Sequence, residues 1–196
     1  MVSKKISKTT GILNKLKNTL PLPAMLNIYN SLILSHLSYG LLLWGWKSHK
    51  LFKLQKKAIR IITNSNFRSH TSGLFKELRT LKIMDLCALQ DFKLCYKYEN
   101  NLLPVYLKNI INSEAIHYHF TRQSTSVRLH LPAVRHDFAR NGISYRLPNI
   151  FNSMEPIIKD KIYTHSFQGY KMYIKEKFLE SYPIDCLIPN CYICNS

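Results

Sequence analysis

Carboxylates are scarce in this sequence and absent from its first 76 residues. The first acidic residue is Glu77, and the 196-residue chain sets 11 Asp and Glu against 28 Lys and Arg, a net charge of +17. Polymerases, nucleases and phosphatases hold divalent metals with clustered carboxylates, so the sequence disfavours an enzyme of these classes. Residues 1–98 alone hold 17 Lys and Arg against 3 Asp and Glu. This charge predicts a polyanionic partner, with nucleic acid first and an acidic membrane surface second.

The sequence also has no glycine-rich phosphate loop and no disulfide framework. Cys87 and Cys95 lie eight residues apart in a helical pattern, and we expect them to pack as small apolar groups. The N-terminal stretch MVSKKISKTTGILNK lacks the apolar region of a signal peptide. We therefore expect an intracellular protein, in the nucleus or the cytoplasm, where thiols stay reduced.

Hydrophobic residues make up 46% of the chain, and most of them recur with helical period. We predict a mainly α fold in which residues 1–112 form a helical bundle. The predicted helices of this bundle span about 3–18, 24–46, 50–63, 73–80 and 84–98. Residues 113–182 form an extension, in which alternating segments at 124–132 and 141–148 would pair as a short β-hairpin before a final helix at 164–181. Residues 183–196 form a cysteine-containing tail.

Residues 18–46 carry no Lys, Arg, Asp or Glu, and this segment has two interpretations. It is long enough to cross a bilayer, which would anchor the chain in a membrane through residues 24–46. Pro21 and Pro23 interrupt its start, however, and several Asn, Ser and His side chains follow, which a bilayer core tolerates poorly. We expect a buried helix of a soluble fold.

The stretch KLFKLQKKAIRIITNS, residues 50–65, combines an apolar stripe with a basic face. Helical spacing predicts that five apolar residues face the core, namely Leu51, Leu54, Ala58, Ile61 and Ile62. Four basic residues then occupy the opposite face, namely Lys53, Lys56, Lys57 and Arg60. Such a face is either an ordinary solvated surface or a contact for phosphates. Solvated helix faces usually carry both charge signs, which form i,i+4 pairs. The charge of this face is of one sign, which favours phosphate contact.

Two arginines outside this helix complete the predicted nucleic-acid-binding set. Arg68 follows Phe67, and Arg122 lies two residues after Phe120, in segments that we predict to be loops. Aromatic rings beside cations can stack on bases. Packing within the loop is the alternative role for each ring.

The C-terminal stretch CLIPNCYICNS places Cys186, Cys191 and Cys194 in a C-x4-C-x2-C spacing. A C-x2-C pair can chelate zinc through a tight turn, and a third thiolate supplies another ligand. The tail contains no fourth ligand, and His165 is the candidate for that position. The alternative is a tail with three unligated thiols.

Several stretches, taken in order, resemble a known family. The region downstream of the polymerase core in jockey-like non-LTR retrotransposon reverse transcriptases is similar in order and spacing to LNIYNSLILSHLSYGLLLWG, LQKKAIRII, LFKELRTLKIMDL, FTRQS, ISYRLPNIFNSME and SFQGYKMYIKEKFLESY. The resemblance covers about residues 5–182. It implies a thumb-like helical domain at 1–112 and a C-terminal extension that lie against an RNA template or an RNA–DNA duplex, with Arg60 and Arg122 directed to phosphates.

The chain departs from this family in one important respect. The paired palm aspartates of the family, in a Tyr-x-Asp-Asp signature, are absent from the sequence. The resemblance therefore implies a non-catalytic fragment or remnant of an RNA-directed DNA polymerase. Its expected partners are RNA or an RNA–DNA hybrid and the missing polymerase core of a parent element. The alternatives are a protein-interaction or scaffold module and, less favoured, a membrane-anchored protein.

Overall fold

The chain is described by a computed structural model over residues 2–45, 48–111 and 129–183. Within these ranges every regular element is a helix, which confirms the predicted mainly α fold class. The α-helices of this described part are α1 (Val2–Leu16), α2 (Leu22–Ile28), α3 (Ser35–Ser38), α4 (Leu41–Trp44), α5 (His49–Ile62), α6 (Ser72–Glu77), α7 (Ile83–Glu99), α8 (Val105–Ile111), α9 (Asp137–Arg140), α10 (Ile143–Ser153), α11 (Pro156–Thr164) and α12 (Phe167–Glu180). A π-helical segment, Tyr29–Leu34, joins α2 to α3.

Contacts between residues divide the chain into two compact units. Unit 1 comprises Met1–Ala88 with Lys175–Ser196, and unit 2 comprises Leu89–Ile174. The division falls within α7 and within α12, whereas the boundaries predicted from the sequence at residues 112 and 182 follow changes in composition. The separate tail at 183–196 stays a prediction, because residues 184–196 lie outside the described ranges.

The uncharged stretch before α5 is not the single helix that the sequence predicts. Gly40 has a φ of 67°, in the left-handed region that glycine adopts without strain, and it separates α3 from α4. No helix in the described part of the chain is long and apolar enough to cross a membrane.

The buried residues of this stretch recur at every fourth position, namely Met25, Tyr29, Ile33, Leu37 and Leu41. A four-residue spacing is longer than the 3.6-residue turn of an α-helix, so residues spaced in this way drift around the helix axis. The hydrogen bonds of a π-helix span five residues and so widen the turn, which compensates for this drift. The π-helical segment therefore keeps the buried stripe in line.

Unit 1 has a polar centre at Gln55, whose side chain is fully buried. Its Nε2 donates to the hydroxyl of Tyr29 and to the backbone oxygen of Leu81, each over 2.9 Å. Its Oε1 accepts from the backbone N–H of Ile83 over 2.9 Å. One side chain of α5 thus fixes both the π-helical segment and the entry to α7.

The end of α12 and the residues after it close unit 1. The hydroxyl of Tyr182 accepts from the backbone N–H of Lys82 over 2.9 Å and donates to Oδ2 of Asp85. The ammonium of Lys82 lies 4.2 Å from the centre of the Tyr182 ring. An exposed ion pair between Arg79 and Glu176, with 2.6 Å between nitrogen and oxygen, lies on the same segments.

The predicted β-hairpin is wrong where the structure describes it. The second predicted strand, 141–148, lies almost wholly within α10, in which Leu147 and Phe151 are buried four residues apart. Residues 129–132 of the first strand have no regular structure, and the remainder of it lies outside the described residues. The backbone at Leu129 is held by a side chain instead, because the amide of Asn152 accepts from the N–H (2.9 Å) and donates to the carbonyl (2.8 Å) of Leu129.

Unit 2 is built around aromatic and aliphatic side chains. The predicted final helix over 164–181 is confirmed as α12, whereas Thr164 ends α11 instead of capping α12. Tyr170 is fully buried and lies 5.2 Å from the ring of Tyr96 between centroids. The guanidinium of Arg146 forms a mostly buried ion pair with Asp91.

Candidate nucleic-acid interface

Helix α5 faces the core with a stripe that differs from the predicted one. The buried residues of the helix are Phe52, Gln55, Lys56, Ala58, Ile59 and Ile62. Of the five predicted core residues, Ala58 and Ile62 are buried, while Leu51, Leu54 and Ile61 are half-buried. The core stripe is therefore rotated towards Phe52 and Ile59, so one predicted surface residue becomes part of it.

That residue is Lys56, and its placement on the exposed face is wrong. Only 3% of its surface is exposed, and its ammonium lies 4.9 Å from the centre of the Phe52 ring. The aliphatic stem of lysine packs well against apolar groups, and an ammonium over an aromatic face is attracted by the ring. Lys56 is thus held within unit 1 and does not reach a phosphate in this conformation.

The exposed cations of α5 form a line. Lys50, Lys53 and Lys57 are exposed, and their spacing of three and four residues puts them on the face opposite the buried stripe. Helix α1 packs against α5 and presents its own exposed line of Lys4, Lys8 and Lys15. We call these six exposed lysines, which lie on two helices in contact, the basic face. Because the sequence has no acidic residue before Glu77, neither helix carries a carboxylate to neutralise it.

Arg60 contributes mainly to the architecture of the loop after α5. It is half-buried, and its Nε donates to the backbone oxygen of Ser69 over 2.9 Å. Its carbonyl accepts from the N–H of Ser65 over 2.9 Å, while Asn64 adopts a φ of 50°. This combination is the Schellman arrangement, in which a left-handed residue ends a helix and redirects the chain. The phosphate contact of Arg60 stays a prediction. Its guanidinium already supports the loop through the hydrogen bond to Ser69.

The loop presents Phe67 and Arg68 to solvent. The ring of Phe67 is 81% exposed, so packing within the loop is not its role. Arg68 is also exposed, and its backbone N–H donates to Oδ1 of Asn66 over 3.2 Å. An exposed ring beside an exposed cation at the end of a basic helix is suited to stacking on an unpaired base.

The remaining predicted site residues lie outside the described ranges. They are Arg122 and the three tail cysteines, Cys186, Cys191 and Cys194, so the zinc site stays a prediction. The fourth-ligand candidate, His165, lies with Nδ1 3.0 Å from the hydroxyl oxygen of Thr164. Among the described residues, no group of three or more His, Cys, Asp or Glu side chains is placed to hold a metal ion.

The lysines of α1 and Lys50 are members of the basic face that the sequence-based prediction omits. Their spacing of four, seven and three residues is visible in the sequence, but the packing of α1 on α5 joins helices that are more than thirty positions apart. The fold packs the two helices that carry these lysines against each other. No family model, curated protein or solved structure matches this chain.

Proposed function

We propose that this chain is a non-catalytic nucleic-acid-binding protein that contacts RNA or an RNA–DNA duplex through the basic face. The observation that carries the proposal is the exposure of Lys50, Lys53 and Lys57 on α5, which packs against α1, a helix with exposed lysines of its own. Neither helix contains a carboxylate. We propose in addition that it is a remnant of a retrotransposon RNA-directed DNA polymerase that acts in the nucleus or the cytoplasm. The sequence resemblance supports this origin.

Binding through the basic face would set affinity without selecting sequence. Lysine ammoniums contact phosphates as point charges and release the counterions condensed on the nucleic acid. Each phosphate contact contributes about 0.9 to the slope of log affinity against log salt for duplex DNA and about 0.7 for single strands. Contacts of this kind position a protein on a nucleic acid, and base contacts provide specificity. The ring of Phe67 is the described group at this surface that is best suited to a base contact.

A salt titration of the intact chain tests the proposal. Binding to RNA, an RNA–DNA hybrid and duplex DNA is measured by fluorescence anisotropy at several salt concentrations. We expect steep weakening with salt, and we expect a Lys53→Gln and Lys57→Gln double variant to lower the slope by about 1.4 to 1.8. The matched control is Arg135→Gln with Arg140→Gln, which removes two positive charges from exposed positions of unit 2. An equal loss of binding affinity in both double variants would overturn the placement of the binding site on the basic face, because net charge alone would then explain binding.

The variant Phe67→Ala separates stacking from phosphate contact. We expect it to weaken binding of single-stranded RNA by about 1–3 kcal/mol, since a base loses its stacking surface. Binding of duplex should hardly change, because paired bases are not available to the ring. Equal weakening of both ligands would assign Phe67 a different role.

A protein-interaction role is the second candidate, and helix α8 favours it. Leu102, which precedes the helix, and Val105 and Tyr106 in its first turn are 60%, 73% and 75% exposed. Exposed apolar groups in a cluster often mark a protein contact, such as one to the polymerase core of a parent element. A Val105→Ser and Tyr106→Ser variant should then lose partners recovered after nuclease treatment, while RNA binding by the basic face should be unchanged.

A further inference from the structure

Three lysines converge in unit 2, away from every residue of the basic face in sequence. The ammoniums of Lys93 and Lys97, four residues apart on α7, lie 5.9 and 5.5 Å from the centre of the Phe167 ring. Lys171 follows Phe167 by four residues on α12 and so lies on the same side of that helix. The three side chains form what we call the lysine cluster.

Electrostatics within the lysine cluster is unfavourable without an anion. Burial lowers the pKa of Lys93, and the positive charges of Lys171 and Lys97 lower it further. Lys93 is half-buried, and its ammonium donates to Oε1 of Gln90 over 3.0 Å, a neutral acceptor that does not offset the repulsion. Attraction to the ring offsets part of the repulsion, because the face of an aromatic ring attracts a nearby ammonium.

We propose that the lysine cluster is a binding site for a phosphate monoester group, supplied by a free nucleotide or by the 5′-phosphorylated end of a nucleic acid. Each ammonium offers three donors, and a monoester carries about −1.5 to −2 charges at neutral pH with three acceptor oxygens. A phosphodiester has a single charge and matches the cluster less well. The half-buried ring of Phe167 adds an apolar surface beside the site, against which the sugar or base of the ligand can pack.

The site does not depend on the proposed function, because it shares no residue with the basic face. Extended lysine lines such as those of α1 and α5 suit the regular charges of a backbone. A compact group of three lysines, two of them over one ring, suits a single multiply charged end. The two proposals therefore fail separately, and variants in one site should leave binding at the other unchanged.

NMR of the intact chain tests the inference, with inorganic phosphate as the first probe. We expect phosphate to shift the side-chain signals of Lys93, Lys97 and Lys171 in a saturable manner. Chloride at equal ionic strength should produce no saturable shift. Removal of two members by Lys93→Gln and Lys171→Gln should weaken phosphate binding about tenfold or more, since a hydrogen bond to a charged group contributes about 1.5–3 kcal/mol. Lys159→Gln is the control, because it removes a single ammonium that lies 4.6 Å from the Phe151 ring in the same unit.

A pair of oligonucleotides then distinguishes the two sources of phosphate. The comparison is made in the Lys53→Gln and Lys57→Gln double variant. If a 5′-phosphorylated RNA binds more tightly than both its 5′-hydroxyl form and a nucleoside monophosphate, the site is assigned to nucleic-acid ends. Equal binding of the nucleoside monophosphate and the phosphorylated RNA assigns it to free nucleotides. The proposed site would be overturned if the phosphate response did not saturate or if chloride reproduced it. It would also be overturned if Lys159→Gln weakened the response as much as the Lys93→Gln and Lys171→Gln double variant.

Discussion

The Nε atom of Arg60 donates a 2.9 Å hydrogen bond to the backbone oxygen of Ser69. The bond connects the last turn of α5 to the loop that exposes Phe67 and Arg68. A guanidinium can anchor a loop in this way because its donors are fixed in one plane, whereas a lysine ammonium has no such geometry. Arg60 therefore positions the proposed stacking group in addition to carrying charge.

Replacement of Arg60 by lysine separates the anchoring role from the charge. We expect Arg60→Lys to speed amide hydrogen exchange in residues 63–71, since one hydrogen bond of about 0.5–1.5 kcal/mol is lost. The salt slope of RNA binding should be kept, because the charge is kept. Arg68→Gln is the matched variant, with the opposite expectation of normal exchange and a lower salt slope. Unchanged exchange in Arg60→Lys would contradict the anchoring role.

The burial of Lys56 predicts opposite outcomes for neighbouring charge reversals. Lys56→Glu places a carboxylate at a position only 3% exposed and should lower the free energy of unfolding by ~3 kcal/mol or more. Lys57→Glu, on the exposed side of the same turn, should change it by no more than about 0.5 kcal/mol. Lys56→Met keeps most of the apolar stem and should be tolerated better than Lys56→Glu. Urea unfolding measures all three, and similar values for the two reversals would contradict the burial.

Gln55 should be one of the most sensitive polar residues of unit 1. Gln55→Leu keeps the approximate volume but leaves the Tyr29 hydroxyl, the Leu81 carbonyl and the Ile83 N–H without their side-chain partner. Each orphaned buried group costs about 1–3 kcal/mol, so we expect a loss of ~3 kcal/mol or more. The exposed Gln168→Leu is the control and should be nearly neutral. A small loss in Gln55→Leu would show that water or repacking replaces these bonds.

The carboxyl of Asp85 should make the stability of the chain depend on pH. Burial raises its pKa above the ordinary 3.8, and the Tyr182 hydrogen bond and the charge of Lys82 lower it by less. Such a group stabilises the fold most below its ordinary pKa and loses that contribution as the pH rises through the folded value. We expect the free energy of unfolding, taken relative to Asp85→Asn, to fall as the pH rises through this window.

Tyr182→Phe provides the control for this pH dependence. It removes the hydroxyl that lowers the pKa of Asp85, so the pKa should rise further and the window should move to higher pH. Carbon-13 NMR of the carboxyl group reports the pKa directly. A difference in unfolding free energy that is flat or increases with pH would contradict the assignment.

The sequence predicts helices well wherever apolar residues recur with helical period, and α5 shows the limit of that rule. Its bounds agree closely with the predicted 50–63, and Ala58 and Ile62 are buried as expected. The burial of Lys56 is not predicted, because a charged side chain is expected to be exposed. The long aliphatic stem of a lysine beside an aromatic ring can nevertheless be buried. In α10, the alternation of ISYRLP suggests a strand, while Leu147 and Phe151 carry the helical spacing that prevails.

Contacts between distant residues could not be predicted from local pattern. Gln55 meets partners 26 and 28 residues away, and Tyr182 meets partners about 100 residues away. Nothing in the neighbourhood of either residue indicates its partners. The same holds for the packing of α1 against α5, two helices that are far apart in the sequence.

Tyr182 belongs to a unit whose other part lies at residues 1–88, so this unit is synthesised in two parts with unit 2 between them. A ribosome releases residues 1–88 first, then the whole of unit 2, and only afterwards the segment that bonds Lys82 and Asp85. Nascent chains of multi-unit proteins commonly fold as each unit emerges. Here the first unit gains the contacts of Tyr182 only after unit 2 has been made, and a chain that stops before residue 175 would lack the Tyr182 partner of Lys82 and Asp85.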